Sequence, residues 1–125
     1  MSHWTRGKTK ITDPTLLEEV AMDLGLQIKH QGKMEGDYAG TIKCEFVVAD
    51  GQGGELAVVK GADGNYFIQM DNYYNTICDT VGKDGALLTR EYQTELHKRE
   101  AQMMGGVIAS QEVNAEGFVF LEVTV

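Results

Sequence analysis

Residues 13–25 read DPTLLEEVAMDLG and predict an amphipathic helix whose two ends are both marked in the sequence. Asp13 can accept hydrogen bonds from the unpaired backbone N–H groups of a first turn. Pro14 suits the first helical position, because the N–H that it lacks would have no partner there. Gly25 is a typical C-terminal stop. The apolar residues recur at helical spacing: they are Leu16, Leu17, Val20, Ala21 and Leu24.

Strand patterns lie on both sides of this helix. Residues 41–49 (TIKCEFVVA) alternate in polarity and predict one half-buried antiparallel strand. Residues 55–60 and 65–70 predict a hairpin around Asp63-Gly64, because glycine accepts the positive φ of such a turn. Further strands are predicted at 5–12, 26–30, 107–113 and 118–125, with a polar loop at 31–37.

A second amphipathic helix is predicted over residues 86–104, ending at Gly105-Gly106. Its predicted apolar stripe is Leu88, Tyr92, Leu96 and Met103. Residues 71–79 are compatible with either a loop or a short helix. The order of elements predicts an α+β fold, with an antiparallel sheet of about five to seven strands and two amphipathic helices packed on one face. We expect residues 1–125 to form a single α+β domain.

Composition limits the classes of function. The chain has 125 residues with 11 basic and 19 acidic side chains, a formal net charge of −8. Because this negative charge repels phosphate backbones, we expect no nucleic-acid partner. The 15 glycines and single proline indicate many tight turns.

The cysteines and the N-terminal residues indicate a compartment. Cys44 and Cys78 are predicted to be free thiols in a reducing environment, and neither belongs to a CxxC pair that would suggest zinc. The polar, basic N-terminus does not resemble a signal peptide, and no window is apolar enough to span a membrane. We therefore expect a cytoplasmic or stromal protein that is not secreted and has no membrane partner.

The three histidines are the first candidates for metal binding or catalysis. An unprocessed Met1-Ser2-His3 would offer a square-planar set of nitrogens to Cu(II) or Ni(II). Removal of Met1 would abolish that spacing, so His3 stays a weak metal candidate beside the favoured interpretation as an ordinary histidine. His30 and His97 are isolated and favour solvated positions, although catalytic groups converge only in three dimensions. We predict no catalytic residue and no cofactor.

Glycine-rich and acidic segments are further candidates for ligand sites. Residues 51–54 (GQGG) lack the spacing of a phosphate-binding loop and connect predicted strands, so we interpret them as a turn. Asp71, Asp79 and Asp84, in one region with Asn72 and Asn75, could bind a hard cation, but the EF-hand order is absent.

Tyr73 and Tyr74 are the candidate partner contacts. In an extended segment, adjacent side chains point to opposite faces, so both tyrosines cannot be buried. An exposed tyrosine is a typical anchor for a protein partner.

Several stretches resemble one family. Met1-Ser2-His3-Trp4 with Lys8-Thr9-Lys10-Ile11 is similar to the family's opening, and residues 16–25, 64–71, 88–105 and 112–125 follow its order. The family is that of the small hypothetical chloroplast reading frame thirty-five-like proteins, a domain of unknown function in plastids, cyanobacteria, other bacteria and phages. Residues 54–57 (GELA) and 104–106 (MGG) depart from its pattern, which indicates a divergent member of phage or cyanobacterial origin. The resemblance implies no catalytic residue, and it implies an AAA-type ATPase system as a candidate partner.

Three functions follow from these observations. The favoured one is a non-enzymatic protein-interaction module or adaptor, which binds a protein partner or associates with itself. The alternative is a small-ligand-binding protein or enzyme with a pocket between helices and sheet. That alternative predicts that His30 or His97 meets an Asp, Glu or Cys at hydrogen-bond distance. A weaker alternative is an acidic mimic of nucleic acid, with carboxylates clustered on one face.

Overall fold

A computed structural model describes residues 4–6, 10–30, 33–36, 40–73, 75–105, 107–113 and 119–124, with side chains in 10–30, 43–73 and 75–105. The strands are β1 Trp4–Arg6, β2 Gln27–Lys29, β3 Lys33–Gly36, β4 Gly40–Lys43, β5 Phe46–Ala49, β6 Glu55–Lys60, β7 Tyr66–Asp71, β8 Val107–Val113 and β9 Val119–Thr124. The helices are α1 Pro14–Asp23, α2 Cys78–Val81 and α3 Ala86–Met103, with a 3-10 turn at Lys83–Gly85.

Helix α1 forms as its sequence predicts. The backbone N–H of Leu16 donates to Asp13 Oδ1 at 3.1 Å, so Asp13 is the N-cap. Gly25 adopts a φ of +85° just after the helix, which a residue with a side chain rarely does. The buried residues are Leu16, Leu17, Val20 and Ala21. Leu24 is exposed instead, because it is the C-cap and no longer follows the helical repeat.

The larger sheet is antiparallel, in the order β1-β7-β6-β5-β2. The predicted β6–β7 hairpin is confirmed, with Lys60 opposite Tyr66 and the turn closed by a 2.7 Å bond from Gly61 N–H to the Asn65 carbonyl. Beside β7, Ile11 pairs with Tyr66 through backbone hydrogen bonds in both directions. This pairing holds the start of α1 near the start of β7.

Two sequence predictions fail at the β3–β4 hairpin. Residues 33–36, predicted as loop, form β3 and pair with β4, Met34 lying opposite Ile42. The predicted single strand 41–49 is interrupted at Cys44 and Glu45, because β4 pairs with β3 while β5 pairs with β6 and β2. Pairing with a neighbouring strand overrides the local polarity pattern.

Strand β5 is also buried on both faces, not on one. Val47 pairs with Ala57, and this pair packs against the partly buried Cys44 and Val59. On the opposite face Val48 pairs with Leu56, and both are fully buried. The predicted half-buried strand is therefore wrong over Phe46–Ala49, where apolar side chains are covered above and below the sheet.

Residues 1–88 and 89–125 form two compact units. The second unit contains most of α3 and the β8–β9 hairpin, in which Val113 lies opposite Val119. In α3, Leu88 and Tyr92 are buried as predicted, whereas Met103 is 87% exposed at the last helical position.

The α+β class is confirmed. The strand count of five to seven, the packing of two helices on one face and the single domain over 1–125 stay predictions, since the described strands fall into three separate sheets. Within the described ranges, no helix combines the length and the apolar character that crossing a membrane requires.

Candidate functional site

An open groove of about 220 Å³ lies beside the start of α1 in the first unit. It is lined by Pro14, Thr15, Glu18, His30, Glu45, Phe46 and Tyr66. The first turns of α1, the end of β2, the start of β5 and the start of β7 bring these side chains together. Residues far apart in the sequence therefore meet at one end of the sheet.

His30 and Glu18 form the polar centre of the groove. Nε2 of His30 lies 3.0 Å from Oε1 of Glu18, within hydrogen-bond distance. The β2–β5 register pairs Lys29 with Val47, so its continuation places His30 opposite Phe46. The two rings lie 5.9 Å apart and are tilted by 48°. His30 is thus held against the sheet while its side chain stays 67% exposed.

The charge of the groove is negative. Glu18 and Glu45 both line it, and the Glu18 side chain is only 21% exposed. Two lysines of the same unit pair elsewhere, Lys10 with Asp63 at 2.7 Å and Lys29 with Glu55 at 3.2 Å. Among the described lining residues there is no lysine or arginine.

The groove contains part of a catalytic arrangement and no more. A histidine beside a carboxylate can act as a general base when a nucleophile lies within hydrogen-bond reach. Thr15 and Tyr66 supply the hydroxyl groups of the lining, but in the described part of the chain neither is hydrogen-bonded to His30. The juxtaposition predicted for the ligand-binding or enzymatic alternative is present at His30, whereas His97 lies exposed on α3.

A second candidate region is the segment after β7. Tyr73 is 48% exposed, and its backbone N–H donates to Asp71 Oδ1 at 2.8 Å. Asn75 Nδ2 donates to the carbonyls of Asp71, at 2.7 Å, and Glu55, at 2.9 Å. Asn75 Oδ1 also accepts from the Glu55 N–H at 3.2 Å. One asparagine therefore joins the end of β7 to the start of β6.

The glycine-rich residues 51–54 form the turn between β5 and β6, as interpreted from the sequence. Asp50 Oδ1 accepts hydrogen bonds from Gln52 N–H at 2.7 Å and from Gly54 N–H at 2.9 Å. The hydroxyl of Thr76 donates to Asp50 Oδ2. The chain's own carboxylate thus occupies the position that an anion would take in a phosphate-binding loop.

The remaining predicted residues are not brought together. His3 and Tyr74 lie outside the described residues. Asp71 and Asp84 accept hydrogen bonds from neighbouring groups, and Asp79 lies exposed on α2. Over the ranges that the structure describes, no group of three or more His, Cys, Asp or Glu is placed to hold a metal ion.

Both cysteines are free thiols, as predicted. Burial, together with the Glu45 charge, raises the pKa of the Cys44 thiol. Burial and the charges of Asp79, Asp71 and Asp84 raise the pKa of the Cys78 thiol. Each thiol is therefore held in its neutral form, which is the weaker nucleophile.

Sequence reasoning indicates His30 but not Glu18 or Glu45 as site residues, and it indicates Asn75 only as a possible cation ligand beside Asp71, Asp79 and Asp84. Glu18 resembles any acidic residue on an amphipathic helix, and its position in the sequence does not indicate a site. Only the approach of β2 to α1 in three dimensions reveals its pairing with His30.

Comparison of the chain with protein-family models, curated protein sequences and solved structures found no match in any of the three.

Proposed function

We propose that the chain is a non-enzymatic protein-interaction module in which Tyr73 contacts a protein partner. The observation that carries this proposal is the exposure of Tyr73 on a segment fixed by side-chain hydrogen bonds. Tyr73 is 48% exposed, its backbone N–H donates to Asp71 Oδ1 at 2.8 Å, and Asn75 Nδ2 donates to the Asp71 carbonyl at 2.7 Å. Tyr74, outside the described residues, belongs to the same proposed contact.

The hydrogen bonds next to Tyr73 favour a binding role. A contact residue that is already ordered loses little conformational entropy when a partner binds. Tyrosine supplies a large contact area at low entropic cost and is enriched among the residues that dominate binding energy. A fixed, half-exposed tyrosine therefore supports recognition better than a tyrosine on a loose loop.

The net charge of −8 defines the partner further. It favours a protein with a basic or neutral surface over nucleic acid. The resemblance to the reading frame thirty-five-like family supports an AAA-type ATPase system as that partner, with self-association as the other outcome. A cytoplasmic or stromal location and a phage or cyanobacterial origin belong to the same proposal. The proposal also includes a single domain, in which both long helices pack on one face of a sheet of five to seven strands.

Native mass measurement of the protein recovered from the cells that produce it tests this function. We expect a stoichiometric complex or homo-oligomer for the unchanged chain, and its loss on Tyr73→Ala. Met22→Ala is the matched control, because Met22 is 54% exposed in the same unit. Recovery of monomer alone, or a complex that survives Tyr73→Ala, would refute the proposal.

A second candidate function, binding of a small ligand or catalysis, is favoured by the 3.0 Å approach of His30 to Glu18. The groove volume of about 220 Å³ counts against it, since small-molecule pockets measure roughly 300–1,000 Å³. Thermal unfolding with a metabolite mixture separates the two functions. A rise in the midpoint that Glu18→Gln abolishes supports the second function, whereas an unchanged midpoint contradicts it.

The nucleic-acid mimic is the weakest of the three. A mimic needs carboxylates that are free to meet a basic groove. Asp50, Asp71 and Asp84 instead accept hydrogen bonds from this chain.

A further inference from the structure

We propose that the groove beside α1 binds the cationic end of a lysine or arginine side chain of a partner polypeptide. The inference rests on the proposed interaction function, but it concerns a different surface from Tyr73. It assigns a ligand class to the groove defined by Glu18, His30, Glu45, Phe46 and Tyr66.

The charge of the groove favours a cationic ligand. Two acidic side chains, Glu18 and Glu45, line the groove, and the described lining has no lysine or arginine. A phosphate or carboxylate ligand would be repelled by Glu18 and Glu45, and the net charge of −8 adds to that repulsion. A cation entering the groove gains from the same field.

Glu18 can form a second hydrogen bond or ion pair. Its side chain is 21% exposed, and a partly buried carboxylate is stabilised when each oxygen has a partner. His30 Nε2 lies against Oε1. Among the described residues, Oε2 has no hydrogen-bond or ion-pair partner. An ammonium or guanidinium group at Oε2 would form a charge-assisted hydrogen bond, which is stronger than a neutral one.

The volume of the groove and the residues that line it favour a single side chain as the ligand. A volume of about 220 Å³ is below that of typical small-molecule pockets. Lysine and arginine combine an apolar stem with a charged end. Phe46 and Tyr66 line the groove together with the carboxylates, so stem and charge both find suitable neighbours.

The open side of the groove favours a side chain carried by a polypeptide. The backbone of the partner would remain outside while one side chain enters. A free cation would gain the contact with Glu18 but none with the surface around the groove. We therefore expect a lysine within a peptide to bind more tightly than the same ammonium group on a short alkyl chain.

Titration followed by NMR tests the inference with defined probes. The probes are a Gly/Ser-flanked lysine peptide, the same peptide with acetyl-lysine, and butylammonium. We expect the lysine peptide to shift the resonances of Glu18, His30 and Phe46. Acetylation removes the charge and should weaken binding on the order of tenfold. Butylammonium should bind more weakly than the lysine peptide.

Glu18→Gln supplies the decisive variant, since it removes the charge and preserves the size of the side chain. It should weaken binding of the lysine peptide on the order of tenfold. Glu19→Gln makes the same change at the next, exposed position of α1, which does not line the groove, and should leave binding unchanged.

Three results would overturn the inference. They are equal binding of the acetylated and unmodified peptides, equal loss in both glutamine variants, and no shift of groove residues with any probe. Butylammonium binding as tightly as the lysine peptide would refute the choice of a polypeptide. Each result is independent of the Tyr73→Ala experiment, so the failure of one proposal is distinguishable from the failure of the other.

Discussion

Asn72 and Asp84 bind each other in both directions across the segment that contains α2. Asn72 Nδ2 donates to Asp84 Oδ1 at 2.7 Å, and the Asp84 backbone N–H donates to Asn72 Oδ1 at 2.9 Å. Asp84 adopts a φ of +58°, a conformation that aspartate and asparagine tolerate better than most residues. The pair therefore closes the connection between β7 and the 3-10 turn before α3.

Loss of this reciprocal pair should destabilise the first unit. Asn72→Ala leaves a partly buried N–H and a carboxylate oxygen without these partners, which costs about 1–3 kcal/mol. Asp84→Ala should cost a similar amount, because alanine also disfavours the positive φ. Urea denaturation measures the free energy of unfolding.

Asp84→Asn is the matched control. Its amide oxygen can accept the same hydrogen bond, and asparagine tolerates the same backbone conformation. We expect it to cost less than about 1 kcal/mol. If Asp84→Asn and Asp84→Ala destabilise equally, the reciprocal pair does not determine the stability of this segment.

Gly54→Ala should disrupt the contact between the 51–54 turn and residues 76–77, just before α2. A Cβ at this position would lie 2.4 Å from the Ile77 backbone nitrogen and 2.5 Å from Thr76 Oγ1. The backbone must move to accommodate it, at a cost of about 1–3 kcal/mol. Hydrogen exchange should increase at residues 75–78.

Gly25→Ala is the control, because it shows the effect of replacing a glycine where the new Cβ meets no neighbouring atom. A Cβ there meets no atom within 4 Å, although the φ of +85° adds strain of about 1–2 kcal/mol. Both variants lose stability, but only Gly54→Ala should increase exchange at residues 75–78. An unchanged exchange pattern in Gly54→Ala would count against the close packing of this turn.

Local signals explain which parts of the fold the sequence predicts. Helix α1 was predicted correctly because its cap, its first residue and its stop all lie within residues 13–25. The β6–β7 hairpin was predicted from Asp63-Gly64 in the same way. Residues 41–49 were predicted wrongly because β4 and β5 pair with different strands. The choice of pairing partner depends on distant residues, which no local pattern contains.

The candidate site shows the same limit. His30 could be named from the sequence, but Glu18 precedes it by a helix end, a turn and a strand. Their 3.0 Å approach depends on β2 returning beside α1. Asn75 likewise bonds to Glu55 at the start of β6, a contact that no spacing rule indicates.

Both thiols should react slowly with iodoacetamide in the folded protein. The thiolate is the reactive form, and burial first, then nearby negative charge, raises the pKa of both Cys44 and Cys78. At pH 8 we expect alkylation several-fold slower than in the urea-unfolded chain. Mass spectrometry of the separated peptides measures each site.

Two charge-removing variants act as each other's control. Glu45→Gln should accelerate alkylation of Cys44 and leave Cys78 unchanged, whereas Asp79→Asn should do the reverse. Equal acceleration at both sites would indicate general loosening of the fold and not the loss of a specific charge. Folded-state rates that match the unfolded chain would contradict the raised pKa values.

Protonation of Asp50 should destabilise the folded protein in acid. Burial raises the pKa of its carboxyl, but hydrogen bonds from Thr76, Gln52 and Gly54 outweigh burial and hold that pKa below the usual 3.8. A group whose pKa is lower in the folded state stabilises the fold above its unfolded pKa. This stabilisation is lost as the pH falls through the folded pKa. The contribution is therefore complete at neutral pH, begins to fall near the unfolded pKa of about 4, and is lost once the pH is below the folded pKa.

Carboxyl NMR titration of three proteins tests the cause of this shift. Thr76→Val removes the hydroxyl at nearly constant volume and should raise the pKa of Asp50 toward its usual value. Thr76→Ser keeps the donor and should preserve the low pKa. Asp63, whose pKa is lowered by Lys10 and by Asn65, should titrate identically in all three proteins, because its partners do not involve Thr76. An Asp50 pKa that is the same in Thr76→Val and the unchanged chain would show that the hydroxyl does not stabilise the carboxylate. The acid sensitivity would then have to come from the backbone donors Gln52 and Gly54 alone.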